Sequence, residues 1–154
     1  MMDENPTVVF VRPREVVIES RQKPAPGAGE LLIKTRCTLI STGTELTILS
    51  GEFPERSAWA RYGKFPFVPG YDNIGEVVEV GPAVDPAWIG QRVGTYGPHA
   101  RYVIARASFA RTIPQSISDE HASFFTIAEI VMNGVRRGKV RWGEAAVVYG
   151  LGLL

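Results

Sequence analysis

Cysteine is almost absent: Cys37 is the single thiol among 154 residues. One thiol supports neither a disulfide framework nor a cysteine-rich metal site, and in its apolar run it reads as a small core residue. An excess of either charge is also missing, with 17 Lys and Arg against 16 Asp and Glu. That balance argues against nucleic acid or an anionic membrane as the main partner. Cations gather only at Arg136, Arg137, Lys139 and Arg141, where a helix end and its dipole favour them. No apolar run approaches the ~20 residues that cross a bilayer. The start, Met1-Met2-Asp3-Glu4-Asn5-Pro6, has neither a basic n-region nor an apolar h-region, so the expected location is cytoplasmic. Histidine is scarce too: His99, in a Gly97-Pro98 turn, is expected to be exposed, and His121 falls in the first turn of an expected helix, packed or solvated.

What is present is β-rich. Short runs such as Val8–Val11, Glu15–Glu19, Glu30–Ile40, Asn73–Gly81, Arg92–Tyr96 and Ala100–Ile104 are separated by Gly and Pro, the pattern of a sandwich or barrel. Gly75, inside one of these runs, marks a bulge or a close backbone approach. The stretch from Glu45 to Phe65 is less regular and reads as a short helix or a loop over a cleft, with Trp59 as its best cleft-lining side chain. After Pro114 the period changes. Ser118 is an N-cap candidate, Phe124, Ile127, Ala128, Val131 and Val135 recur at helical spacing, and Gly138 is a natural stop. Ala145–Tyr149 then reads as a buried strand running into Gly150-Leu151-Gly152. Strand followed by Gly-x-Gly is how a dinucleotide-binding βαβ unit begins, the glycines letting the backbone approach a pyrophosphate. A glycine-punctuated turn after any buried strand gives the same short pattern.

Three segments in order are more specific: Ser41-Thr42-Gly43-Thr44-Glu45, then Pro69-Gly70-Tyr71-Asp72-Asn73-Ile74-Gly75-Glu76-Val77-Val78-Glu79-Val80-Gly81, then Gly90-Gln91-Arg92-Val93-Gly94. With the terminal Gly-x-Gly they resemble the medium-chain dehydrogenase/reductase superfamily, over about Glu30 to Leu154. The resemblance implies a mostly β fold with some α: a GroES-like β-barrel catalytic domain over 1–115, a linking helix and turn over 116–143, and over 144–154 the first strand and Gly-x-Gly of a truncated Rossmann domain. It also implies NAD or NADP, with Gly150 and Gly152 as cofactor-binding residues, a small-molecule substrate and a homo-oligomer. The wording at Ser41–Glu45 and Pro69–Asp72 is most similar to a zinc-lacking subgroup that includes bacteriochlorophyllide a dehydrogenase-like proteins.

The zinc-dependent branch of the superfamily writes Cys-Gly-Thr-Asp where this chain has Thr42-Gly43-Thr44-Glu45, and Gly-His-Glu where it has Gly70-Tyr71-Asp72. Its third ligand falls close to Thr126. A catalytic zinc wants three ligands from Cys, His and carboxylate, and of these positions only Asp72 keeps a good ligand type, so no zinc is expected. The four-cysteine structural lobe is missing as well, and Gly97–Val103 stands where the superfamily writes Gly-Gly-Phe-Ala-Glu-Tyr-Val. Hydride transfer without a metal still needs a proton donor or acceptor and stabilisation of charge on the substrate oxygen. The resemblance places Thr44 at the proton-relaying hydroxyl. Tyr71, in the vacated ligand position, is a donor to a carbonyl oxygen, and Asp72 would orient it or set the local charge. Each has a plainer reading, as a cap, a packed aromatic and a turn residue. At the level of the whole chain, the alternative to an oxidoreductase is a GroES-like binding module with no catalysis of its own.

Overall fold

The computed structural model describes residues 4–150 and 152–154. Strands β1 (Glu4–Arg12) and β2 (Glu15–Gln22) form an antiparallel hairpin across the Pro13-Arg14 turn. β3 (Glu30–Thr38) is an interior strand of a second sheet. It pairs on one side with β4 (Asn73–Val80), which carries β5 (Arg92–Thr95) and then β7 (Arg111–Thr112), and on the other with β6 (Tyr102–Arg106). β3 carries the consecutive apolar run Leu31-Leu32-Ile33. All three residues are fully buried, as in a strand covered on both faces. Leu31 and Ile33 pack with Val77, Val93 and Val103 in the main core.

The hairpin is joined to the larger sheet by bridges between Thr7 and Ala100 and between Phe10 and Phe67. Asn5 strengthens the joint, its side chain accepting from Tyr102 N at 2.7 Å and donating to Tyr102 O at 3.0 Å. Gly75 behaves as its place in the sequence predicts. It sits beside a register shift between Thr35 and Cys37, and a Cβ there would lie 2.5 Å from the Lys34 carbonyl oxygen. Cys37 is half-buried.

The irregular stretch resolves into two short helices, α1 (Thr42–Ser50) and α2 (Ala58–Tyr62). The helix expected after Pro114 is also two: α3 (Asp119–Ala122) and α4 (Phe125–Gly138). Ser118 caps as predicted, its side chain accepting from His121 N. The break follows because Ser123 folds its hydroxyl back onto Glu120 O, and such bonds compete with continuous helix. Gly138 is the last helical residue rather than the left-handed stop. Lys139 takes that conformation, with φ +53, and its N–H donates to Arg136 O. Asp119 accepts from Arg36 at 2.8 Å and from Arg92 at 3.3 Å, and Arg92 also donates to the Pro114 and Ile117 carbonyls. These bonds tie the start of the helical segment to the sheet.

The expected strand over Ala145–Tyr149 is not formed. Residues 144–150 are exposed coil, and Val147, Val148 and Tyr149 are 75%, 78% and 95% exposed. A strand exists by pairing, and among the described residues no parallel neighbour faces this one. Leu151, in the middle of the Gly-x-Gly motif, lies outside the described residues.

Candidate functional site

The end of β3, the start of α1 and the approach to β4 converge. Leu39 N donates to Asp72 O at 3.3 Å, and Thr38 pairs with Asn73 in the ladder. Ser41 is the N-cap of α1 but its hydroxyl makes no capping bond. Instead its own backbone N–H donates to Glu45 Oε1 at 3.4 Å, so Glu45 turns back over the first turn and is buried. The second oxygen, Glu45 Oε2, lies 3.0 Å from His99 Nε2, and His99 Nδ1 lies 2.9 Å from Thr38 Oγ1.

His99 therefore departs from expectation. Its side chain is 9% exposed, not displayed on a turn. Its backbone is gripped on both sides, N donating to Pro69 O and O accepting from Val8 N, each at 2.9 Å. Gly70 permits this approach. It has φ +108, and a Cβ there would fall 2.5 Å from His99 N. Neither Glu45 nor His99 was legible as a site residue. The one available signal was spacing, since a glutamate shortly after a serine N-cap can reach back to the cap's N–H.

Asp72 is fully buried, and neither carboxylate oxygen has a hydrogen-bond partner. It is thus bonded to neither Tyr71 nor Thr44. Burial pushes its pKa up, and Glu45 adds to the rise. Thr126 and His99 pull the other way, Thr126 standing close to the carboxyl without meeting hydrogen-bond geometry. The Thr126 hydroxyl is itself buried and unpartnered. Next in sequence, Asn73 donates to Thr35 Oγ1 at 2.9 Å, while its own Oδ1 and the hydroxyl of its ladder partner Thr95 are also buried without partners. Tyr71 and Thr44 are half-buried and Thr42 is exposed. The structure thus pairs Glu45 with His99, sets Asp72 within their electrostatic influence and that of Thr126, and leaves Thr44 one residue before Glu45 on α1.

A pH effect follows from the raised Asp72 pKa. The folded chain holds this proton more tightly than the unfolded chain, whose carboxyl keeps its ordinary value of 3.8. The stabilisation is complete below 3.8 and is lost as pH rises through the raised folded value. Asp72→Asn is expected to remove that loss. The variant should be more stable than the parent at neutral pH, with the difference shrinking in acid, in urea unfolding followed across pH.

Two cavities flank this region. One, of about 340 Å³, lies between the sheet and the helical segment and is lined by apolar groups such as Ile74, Ile113, Ile117 and Phe125. The other, of about 370 Å³, lies between the hairpin and α1, with Phe10 and Leu49 as apolar wall and Thr38, Glu45 and His99 as polar wall. Trp59 lines neither of them, and His121 is exposed at the rim of the first. Among the described residues no three His, Cys, Asp or Glu side chains stand together as a metal ion requires. The donors at the zinc-branch positions, two threonines, a tyrosine and one aspartate, do not fit zinc. Gly150 has φ +93, the region that favours glycine.

Comparison with known proteins agrees with this fold. The alcohol dehydrogenase GroES-like domain matches residues 27–115. D-guloside 3-dehydrogenase of Escherichia coli (strain K12) is 30% identical over 96% of this chain and 47% of its own length. The 2-desacetyl-2-hydroxyethyl bacteriochlorophyllide A dehydrogenase of Cereibacter sphaeroides is 33% identical, over 49% of this chain and 22% of its own. Among solved structures, the NADH complex of the short chain alcohol dehydrogenase rspB from E. coli CFT073 superposes with a TM-score of 0.74 at 21% identity, covering 89% of this chain and 46% of that one. The chain spans about half the length of the full curated relatives it matches, such as the D-guloside enzyme. With the domain match covering more than half of it, the chain belongs to the medium-chain dehydrogenase/reductase superfamily through its alcohol dehydrogenase GroES-like domain.

Proposed function

We propose that this chain is the substrate-side part of an NAD(P)-dependent oxidoreductase that moves hydride between nicotinamide and an alcohol, carbonyl or enone carbon without zinc. The observation carrying this reading is the Asp72–Thr126 contact. At the place where the zinc branch holds its metal, this chain has buried oxygens with no protein partner, suited to hydrogen-bond a substrate oxygen. Thr44 relays the substrate's hydroxyl proton, Tyr71 donates to the carbonyl oxygen, and Asp72, which is not bonded to the tyrosine, holds a proton nearby. Gly150 and Gly152 open the turn that takes the pyrophosphate. When bound, the nicotinamide supplies or accepts the hydride. The names of the D-guloside and hydroxyethyl-bacteriochlorophyllide relatives favour a hydroxyl-bearing substrate.

The test is hydride transfer by the full-length protein, with NAD and NADP, across a panel of alcohols, ketones and enones, with metal content measured alongside. The expected result is turnover that survives chelation, with far less than one metal per chain. Stoichiometric zinc, or no transfer with any of the panel, would overturn the reading.

A second reading, a binding module without chemistry, is favoured by apolar surface left open on α4. Ile130, Val131, Met132 and Val135 are 41–65% exposed, and Val147 and Val148 in the coil that follows are exposed as well. A patch of this kind marks an interface. The homo-oligomer proposed here would cover it, and concentration-dependent sedimentation of the chain reports on that directly. No helix among the described residues is long and apolar enough to cross a membrane, and a cytoplasmic setting is proposed with the rest.

A further inference from the structure

Strand β2 leaves one edge bare. Its sheet holds only β1 and β2 among the described residues, so the outer side of β2 has no partner strand. Which groups stand on that side follows from the bonds of β1. Pro6 O accepts from Arg101 N, Val8 N donates to His99 O, and Phe10 exchanges both its bonds with Phe67, all away from β2. The groups of β1 that face β2 are therefore those of Asn5, Thr7 and Val9, whose ladder partners are Arg21, Glu19 and Val17. That leaves Val16, Ile18 and Ser20 with N–H and C=O turned outward and, among the described residues, unbonded. None of the three is proline or charged, the usual protections of an exposed edge. Val16 and Ile18 are 48% and 74% exposed.

We propose that this edge pairs with the β2 edge of a second copy of the chain, joining the two hairpins into one continuous antiparallel sheet. Two copies that use the same surface are related by a two-fold axis, which makes the paired strands antiparallel. The outward groups must face one another for their bonds to close, so the register can shift only in steps of two residues. Centring the pair on Ile18 sets Val16 opposite Ser20 of the second copy and Glu15 opposite its Arg21. One step in either direction sets Glu15 opposite Glu19, or Glu19 opposite itself, and like charges directly opposite destabilise a sheet. Of these registers the Ile18-centred one alone opposes no like charges and adds two attractive pairs, one on each side of the axis.

The side chains suit that register. Ile18 meets Ile18 on the axis. Val8, opposite Ile18 within the hairpin, extends the apolar row on each side. Glu15 and Arg21 already sit in exposed pairs with Arg12 and Glu19. Such pairs hold little energy, so both side chains are free to turn to the second copy. The pairing rests on neither the oxidoreductase reading nor the apolar face of α4, which is a separate surface. It is therefore tested without substrate or cofactor.

The experiment is sedimentation of the chain and of the full-length protein from micromolar to millimolar concentration, with amide hydrogen exchange of β2 followed alongside. A reversible dimer is expected in both. Exchange at Ile18 should slow as concentration rises, while Val17 and Glu19, already bonded within the hairpin, stay unchanged. Ile18→Lys, which brings two cations together on the axis, is expected to weaken the dimer about tenfold or more. Glu15→Arg and Arg21→Glu should each weaken it about fivefold, and the double swap should restore it. Monomers throughout, or Ile18 exchange that ignores concentration, overturn the proposal. A dimer that survives Ile18→Lys but is lost in Met132→Lys moves the interface to α4 and overturns it too. Protection of Ile18 at every concentration in the full-length protein alone would show that a later segment of the same polypeptide takes the edge, against a second copy. Loss of hydride transfer in the full-length screen, with these results intact, would discard the enzyme reading and keep the dimer.

Discussion

Gly70→Ala is expected to lower the unfolding free energy by roughly 2–5 kcal/mol, combining the cost of a left-handed non-glycine residue with that of overpacking. The backbone at Gly70 has φ +108, and the added methyl would fall 2.5 Å from His99 N and 2.8 Å from the Pro98 carbonyl carbon. Both obstacles are backbone, so neither can swing aside. To relieve the clash, the Pro98-His99 segment must retreat, which strains the His99 N to Pro69 O bond and withdraws the imidazole from Glu45. At this chain length each kcal/mol moves the melting temperature by about 2–4 °C, so the drop is readily seen by calorimetry. The His99 and Asp72 resonances should shift together in whatever fraction stays folded. A variant that melts within a degree or two of the parent would show that the loop is softer than this packing implies.

Glu45→Ala is expected to cost about 1–3 kcal/mol, the usual penalty for leaving a buried polar group without its hydrogen-bond partner. The loss has three parts: His99 is left with one unmatched nitrogen, the Ser41 N–H loses its acceptor, and the first turn of α1 loses its brace. His99→Phe should cost a comparable amount, because it strands the carboxylate instead. The double variant Glu45→Leu/His99→Phe is expected to recover at least half of the summed loss, since apolar groups of similar size often replace a buried pair at little cost. Urea unfolding followed by tryptophan fluorescence gives all corners of the cycle. Purely additive losses would mean that the two side chains act independently, against the 3.0 Å contact. Recovery of stability in the double variant would also indicate that the pair is kept for chemistry rather than for the fold.

The barrel strands were readable because their signals are local. The Leu31-Leu32-Ile33 run, the glycine at 75 and the serine at 118 each carry their physical reason within a few residues. The site was readable only in part. Asp72 stood out through its motif, but its isolation from Tyr71 and its contact with Thr126 depend on where α4 lands, 54 residues later in the chain. His99 was misjudged for the same reason. A Gly-Pro-His turn is a surface signal by itself, and only the approach of Gly70 and Glu45 from other parts of the chain draws it inside. The terminal strand failed in the opposite sense. Its residues have the right propensity, but a strand also needs a neighbour to pair with, which propensity does not supply.

The ties at Asp119 bear on where this polypeptide can be divided. The sequence suggests a seam at residue 115, yet Arg36 and Arg92 reach across it to hold Asp119, and Arg92 also grips the Ile117 carbonyl beyond it. Cutting at that seam would strand two arginines and strip the cover from Ile74 and Ile113. The first severable joint lies past Gly138, where the ladder of helical bonds ends and, among the described residues, the side-chain hydrogen bond is the local one from Arg141 N to Glu144. Anyone wishing to graft this barrel onto another protein should carry the helical segment with it.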